Sequence, residues 1–127
     1  MLYLIYFRPD QTCLNRAATL NNSKSQQSNQ EQEYIINPDG KAVKVRITLL
    51  ENSCKLARFF DYCDANDRYK FGSAADIKCD DGSQDGFRFL SGNTGFSGEC
   101  TLNFPAKIIF VRVQYSGSPC RYEVKYE

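Results

Sequence analysis

The chain has 127 residues, 16 basic against 15 acidic, with six cysteines, no histidine and no tryptophan. That length suits one core of ordinary domain size, and the interspersed charges leave no basic stripe for displacing counterions from a nucleic acid. Without histidine the usual catalytic triads and the histidine-containing zinc centres are excluded, and no apolar run approaches the ~18 residues of a membrane-spanning helix.

Residues 2–7 form an apolar run that predicts a buried strand, ended by Arg8-Pro9. The run is too short and too rich in tyrosine for a secretory leader. Residues 21–33 carry no apolar side chain, cannot repay their ordering entropy by burial, and so predict a mobile polar loop. Asn21-Asn22-Ser23 inside it matches the N-glycosylation pattern, which makes Asn21 a candidate attachment site. Asn37-Pro38-Asp39-Gly40 has the residues of a tight turn. Val43, Val45, Ile47 and Leu49 then alternate with Lys44, Arg46 and Thr48, the period of a strand with one wet face. Leu56 to Phe60 suits helix and strand comparably, so at most one short helix is expected, within residues 55–68.

Residues 80–86 predict a turn, Phe87 to Leu90 a strand, and residues 91–99 a loop containing Gly92, Gly95 and Gly98. The strand-like residues 100–104 that follow are not the helix N-terminus a phosphate cradle requires. Near the C-terminus, Ile109, Val111, Val113 and Tyr115 alternate with Phe110, Arg112 and Gln114. Ser116 to Pro119 turns the chain, and Tyr122, Val124 and Tyr126 alternate again, which predicts a hairpin. This closing pair resembles the last strands of CUB-type sandwiches, a resemblance that implies an antiparallel sandwich and carries no site. In all, the segments amount to about eight short strands. The expected fold is all-β, an antiparallel β-sandwich of jelly-roll-like form in a single domain over residues 1–127.

Cys13, Cys54, Cys63, Cys79, Cys100 and Cys120 include no Cys-x-x-Cys pair of the kind a structural zinc site uses. An even number, widely spaced, predicts disulfides that staple a secreted, extracellular domain. Such a set permits 15 connectivities. Cys54–Cys63 is preferred among them, because the eight residues between close easily.

Asp61, Asp64, Asp67, Asp76, Asp80, Asp81 and Asp85 make the strongest charge cluster. Aspartates gather in turns because they bend and cap the chain; clustered carboxylates also suit calcium, with Asp80, Asp81 and Asp85 as candidate ligands and calcium as a conditional cofactor. Partner contact is expected beside the strand from Phe87 to Leu90, through Asp80, Asp81 and Asp85 before it and Asn93 and Phe96 after it. Tyr62, Tyr69, Phe71 and Phe96 flank polar turns and are candidate platforms for a sugar. The expected function is a secreted, non-catalytic binding or adhesion module that recognises a protein or glycan partner through loops. The alternative is a structural or assembly subunit of an extracellular polymer, self-associating by β-strand exchange through residues 2–7. A hydrolase using two carboxylates stands third.

Overall fold

Val43, Val45, Ile47 and Leu49 are buried while Lys44 and Arg46 face water, as their alternation demands. The computed structural model describes residues 13, 25–36, 42–82, 84 and 86–127, the side chains at 25, 26, 35, 36 and 107 excepted. Among these residues lie ten strands: β1 (Ser25–Ser28), β2 (Gln32–Ile36), β3 (Val43–Leu49), β4 (Cys54–Asp64), β5 (Tyr69–Phe71), β6 (Ile77–Cys79), β7 (Phe87–Gly92), β8 (Ser97–Leu102), β9 (Ala106–Tyr115) and β10 (Tyr122–Tyr126). A 3-10 turn, Ala74–Asp76, precedes β6 and is capped by the Ser73 hydroxyl.

One sheet runs β1-β10-β3-β8-β6 and the other β2-β9-β4, all antiparallel. Two strands share the far edge of β4 end to end, β7 against its first half and β5 against its last residues. The pairings nest, β1 with β10, β2 with β9, β3 with β8 and β4 with β7, and the four pairs alternate between the sheets. A hairpin rolled up on itself has that order, so the sandwich is a jelly roll. Val45, Ile47, Ile109, Val111, Val113, Tyr122 and Val124 all sit in the core between the sheets, as their periodicity requires.

No helix forms in residues 55–68, within the expected limit of one: β4 and the turn after it occupy them, and β4 is ordered by neighbours on both edges, which local propensity does not register. Three expectations are corrected. The closing strands do not form a hairpin, because β9 belongs to one sheet and β10 to the other. Six residues, 116–121, separate them, long for a tight hairpin loop and enough to arch across the sandwich. Alternation alone is identical for the two arrangements.

Residues 21–33 are not one loop, since β1 and the start of β2 lie within them. Backbone pairing to β10 and β9 orders this polar segment, assisted by Gln27 Nε2 donating to Glu123 and Tyr122 Oη donating to the Gln30 carbonyl. Cys54 does not pair with Cys63. Both lie on β4, nine residues apart in extended chain, roughly 30 Å, and on opposite faces of the sheet. The disulfides are Cys13–Cys63, Cys54–Cys120 and Cys79–Cys100, leaving no free cysteine. The run at residues 2–7, Asn21 and the turn at residues 37–40 lie outside the described residues.

Tyr34, Tyr115 and Tyr122 meet at one end of the core, with Tyr34 Oη donating to Tyr122 Oη at 3.2 Å and the rings of Tyr115 and Tyr122 6.1 Å apart. Burial pushes all three hydroxyls upward, that of Tyr115 to about 12. Below the ordinary tyrosine range near pH ~10 both folded and unfolded chains keep these protons. Above it the unfolded chain releases protons that the folded one retains, so stability must fall as pH rises. Melting temperature is therefore expected to drop from about pH 10 onward. Tyr115→Phe should flatten that drop, and an unchanged slope would show that the tyrosine cluster does not drive it.

Candidate functional site

Along β4 the even-numbered residues face the core and the odd-numbered ones face outward. Phe59, Asp61 and Cys63 thus belong to the outer face of the second sheet. Residues directly opposite in register share a face, which extends this surface across four strands. Phe59 lies beside Phe87 of β7 on one side and Arg112 of β9 on the other, and Arg112 in turn lies beside Glu33 of β2. One row further along, Ala57 is flanked by Phe89 and Gln114. In the other direction, Asp61 is flanked by Phe71 of β5 and by Phe110.

The rings on this face are unusually open. Phe71 is 72% exposed, Phe87 45% and Phe89 48%, although large apolar side chains normally go inside. They contact one another: Phe59 and Phe87 centroids are 4.9 Å apart, and Phe87 and Phe89 5.2 Å in an edge-on arrangement. Cations cover two of the rings, with the Arg112 guanidinium 4.4 Å from the Phe59 centroid and Lys55 Nζ 5.1 Å from that of Phe89.

A buried carboxylate fixes Arg112. Asp61 is almost fully enclosed, accepts a hydrogen bond from Arg112 NH2 at 3.2 Å and accepts another from the Tyr69 hydroxyl. That geometry holds the guanidinium over Phe59. On the β2 side of Arg112 is a shallow depression of about 180 Å³ lined by Glu31, Gln32, Glu33, Arg112, Val113 and Gln114, a set rich in planar hydrogen-bonding groups. Toward β5 and β7 is a second cavity of about 260 Å³.

The second cavity arises where β5 ends and β7 begins on the same edge of β4. Phe60 donates its N–H to the Gly86 carbonyl and accepts from the Gly72 N–H, so the two glycines meet across its backbone. A Cβ on Gly72 would stand 2.7 Å from the Phe60 carbonyl, and one on Gly86 3.0 Å from that of Gly72. Only glycine permits this approach. Phe59, Phe71 and Phe87 rise around the glycine floor as walls.

The residues expected from sequence are dispersed. Asp80 and Asp81 lie before β7 and Asn93 and Phe96 beyond its other end, so the two groups flank opposite ends of one strand. Asp80 Oδ2 accepts from the Glu99 N–H, and Asp81 pairs with Arg88 at 2.7 Å. Asp85 lies outside the described residues. Among the described residues no group of three or more metal-ligating acids, cysteines or histidines comes together. Asp64 Oδ1 accepts from the Asn66 and Arg68 N–H groups and closes its own turn, and these bonds, the Arg68 one foremost, hold its carboxyl below the usual range.

Asn93 Oδ1 accepts from the Ser53 N–H and Asn52 Oδ1 from Thr94, so the two side chains lace the β3–β4 and β7–β8 loops together. Phe96 packs beside Gly92 with 47% of its surface open. Tyr62 belongs to the core, stacked on Phe104 at 4.8 Å, whereas Tyr69 and Phe71 lie on the outer face of the second sheet. The sequence reading missed Phe59, Phe87, Phe89, Arg112 and Glu33. In Phe87-Arg88-Phe89-Leu90 every position but one is apolar, which hides that Leu90 faces inward while both phenylalanines face out.

No family model and no curated protein matches the chain. Two solved structures resemble it, a xylan-binding domain from CBM 22 and the C-terminal family 22 carbohydrate binding module of a Clostridium thermocellum protein. Each is 14% identical over 74% of this chain, with a TM-score of 0.37, and the chain spans 60% of the length of each. No residue is carried from them to this chain.

Proposed function

We propose that the chain is a non-catalytic, extracellular binding module that recognises a glycan through the outer face of the sheet built from β2, β9, β4, β5 and β7. The observation that carries this reading is the row Glu33–Arg112–Phe59–Phe87, with Gln114 and Phe89 beside it. A sugar presents C–H faces that stack on rings and hydroxyls that pair with planar side chains, and this row offers polar groups on β2 and β9 and rings on β4 and β7. Neighbouring strands stand ~4.8 Å apart, so four strands span roughly 14 Å, room for a short oligosaccharide lying across them. A rigid sheet also holds these groups without an ordering cost on binding. Three disulfides suit an oxidising compartment and support the extracellular assignment.

Retention on a panel of immobilised polysaccharides tests the proposal. Phe59→Ala and Phe87→Ala should each weaken binding by about ten-fold or more, because Phe87 is an open stacking ring and Phe59 supports both it and the Arg112 guanidinium. Phe96→Ala, at the far end of β7, should leave binding unchanged. Loss of binding in Phe96→Ala with none in the other two would move the site to the loops. Failure to bind any polysaccharide would sink the glycan reading itself.

A further inference from the structure

The cavity at the β5–β7 seam shares Phe59 and Phe87 with the proposed sugar face, yet its chemistry differs from that of the face. Its walls are rings and its floor is two glycine backbones, and Asp61 is the one ionisable residue on its lining. Resting on the glycan reading, we infer that this cavity is an acetamido subsite, taking the N-acetyl group of an N-acetylhexosamine whose ring lies on Phe87.

Size and polarity converge on that occupant. At about 260 Å³ the cavity is smaller than the sites that enclose whole drug-sized ligands, so it suits a substituent and not an oligosaccharide chain. A sugar hydroxyl inserted between Phe71 and Phe87 would give up its bonds to water for ring carbons. A methyl group loses nothing there. The acetamido group carries that methyl on a flat amide, which stays at the mouth beside the mostly exposed Phe71, where water still reaches it. The cavity exists because Gly72 and Gly86 meet without side chains, and their close approach leaves no space for a Cβ at Gly72. Phe71 is the outermost wall and is mostly in water, so it forms the cavity without supporting the core.

Titration calorimetry on the full chain with trimers of N-acetylglucosamine, glucosamine and glucose, in the same linkage, tests the subsite. The acetylated trimer should bind about ten-fold tighter or more than the glucose trimer, the scale of one extra apolar group in a fitted pocket. Phe71→Ala should bring the two affinities together by weakening the acetylated trimer alone, with near-ultraviolet circular dichroism unchanged. Equal affinities in the original protein overturn the subsite and leave the glycan reading standing, as does a preference that survives Phe71→Ala. Failure of all three trimers in a protein that still binds another polysaccharide also overturns the subsite alone. Failure on every sugar removes both.

Discussion

Replacing Cys54 and Cys120 together by alanine is expected to cost about 4 kcal/mol of stability, from the entropy released to an unfolded chain whose cross-link had joined residues 66 apart. The bond ties the start of β4 to the segment leading into β10, so it joins the two sheets at one end of the sandwich. Both cysteines are buried in the core, so their replacement by alanine also removes packed sulfur from it. Cys79–Cys100 closes a separation of only 21, and its two residues already face each other across β6 and β8, so its loss should cost less, about 3 kcal/mol. Against a total of about 5–15 kcal/mol for a domain, the first change removes a large share. Urea unfolding of the two double variants measures both quantities. A larger loss for the Cys79 and Cys100 variant would mean that loop closure is not the main contribution of these bonds.

Periodicity made the sandwich legible where one face of a strand is apolar and the other charged, as in β3, whose four buried residues alternate with polar ones. It failed on β4, where Leu56, Ala57, Arg58, Phe60, Asp61, Tyr62 and Cys63 are all buried, the even-numbered ones by the core and Asp61 and Cys63 by side chains such as Tyr69 and Phe110 on the outer face. Arg58 lies inside the sandwich over Phe60 and donates to Cys79 Sγ, while Asp61 is enclosed on the outer side. A charged residue in a strand is ordinarily read as facing solvent, and both of these are not. The partner loops attracted notice because acids and glycines are conspicuous in sequence. The open phenylalanines were not, since an apolar residue in a strand is expected to be core. Their exposure follows from register: Phe87 and Phe89 oppose Phe59 and Ala57 on the outer face, a fact fixed by pairing at long range and not by any local pattern.

Asp61→Ala is expected to destabilise the fold by about 3 kcal/mol and to lower glycan affinity by about ten-fold, although Asp61 itself is enclosed. Its carboxylate accepts from the Tyr69 hydroxyl and from Arg112, and Arg112 lies over Phe59 at 4.4 Å. Removing one partner of a buried pair costs more than the pair contributes, because the other charge is left without compensation. Arg112 retains 27% of its side-chain surface, so it can turn toward water and hold the loss to the lower end of the usual range. That same turn takes the guanidinium off Phe59, uncovering the ring and displacing the donor that a sugar hydroxyl would meet. Asp61→Asn keeps the volume and an acceptor for Tyr69 while removing the charge, so it should cost less stability, about 1–2 kcal/mol, with a comparable fall in affinity. A double-mutant cycle with Arg112→Gln separates the contributions. Coupling of the two positions should lie within about 0.5–3 kcal/mol, for stability and binding alike. If the two changes are instead additive in binding while remaining coupled in stability, Asp61 supports the sheet but does not position Arg112 for a ligand.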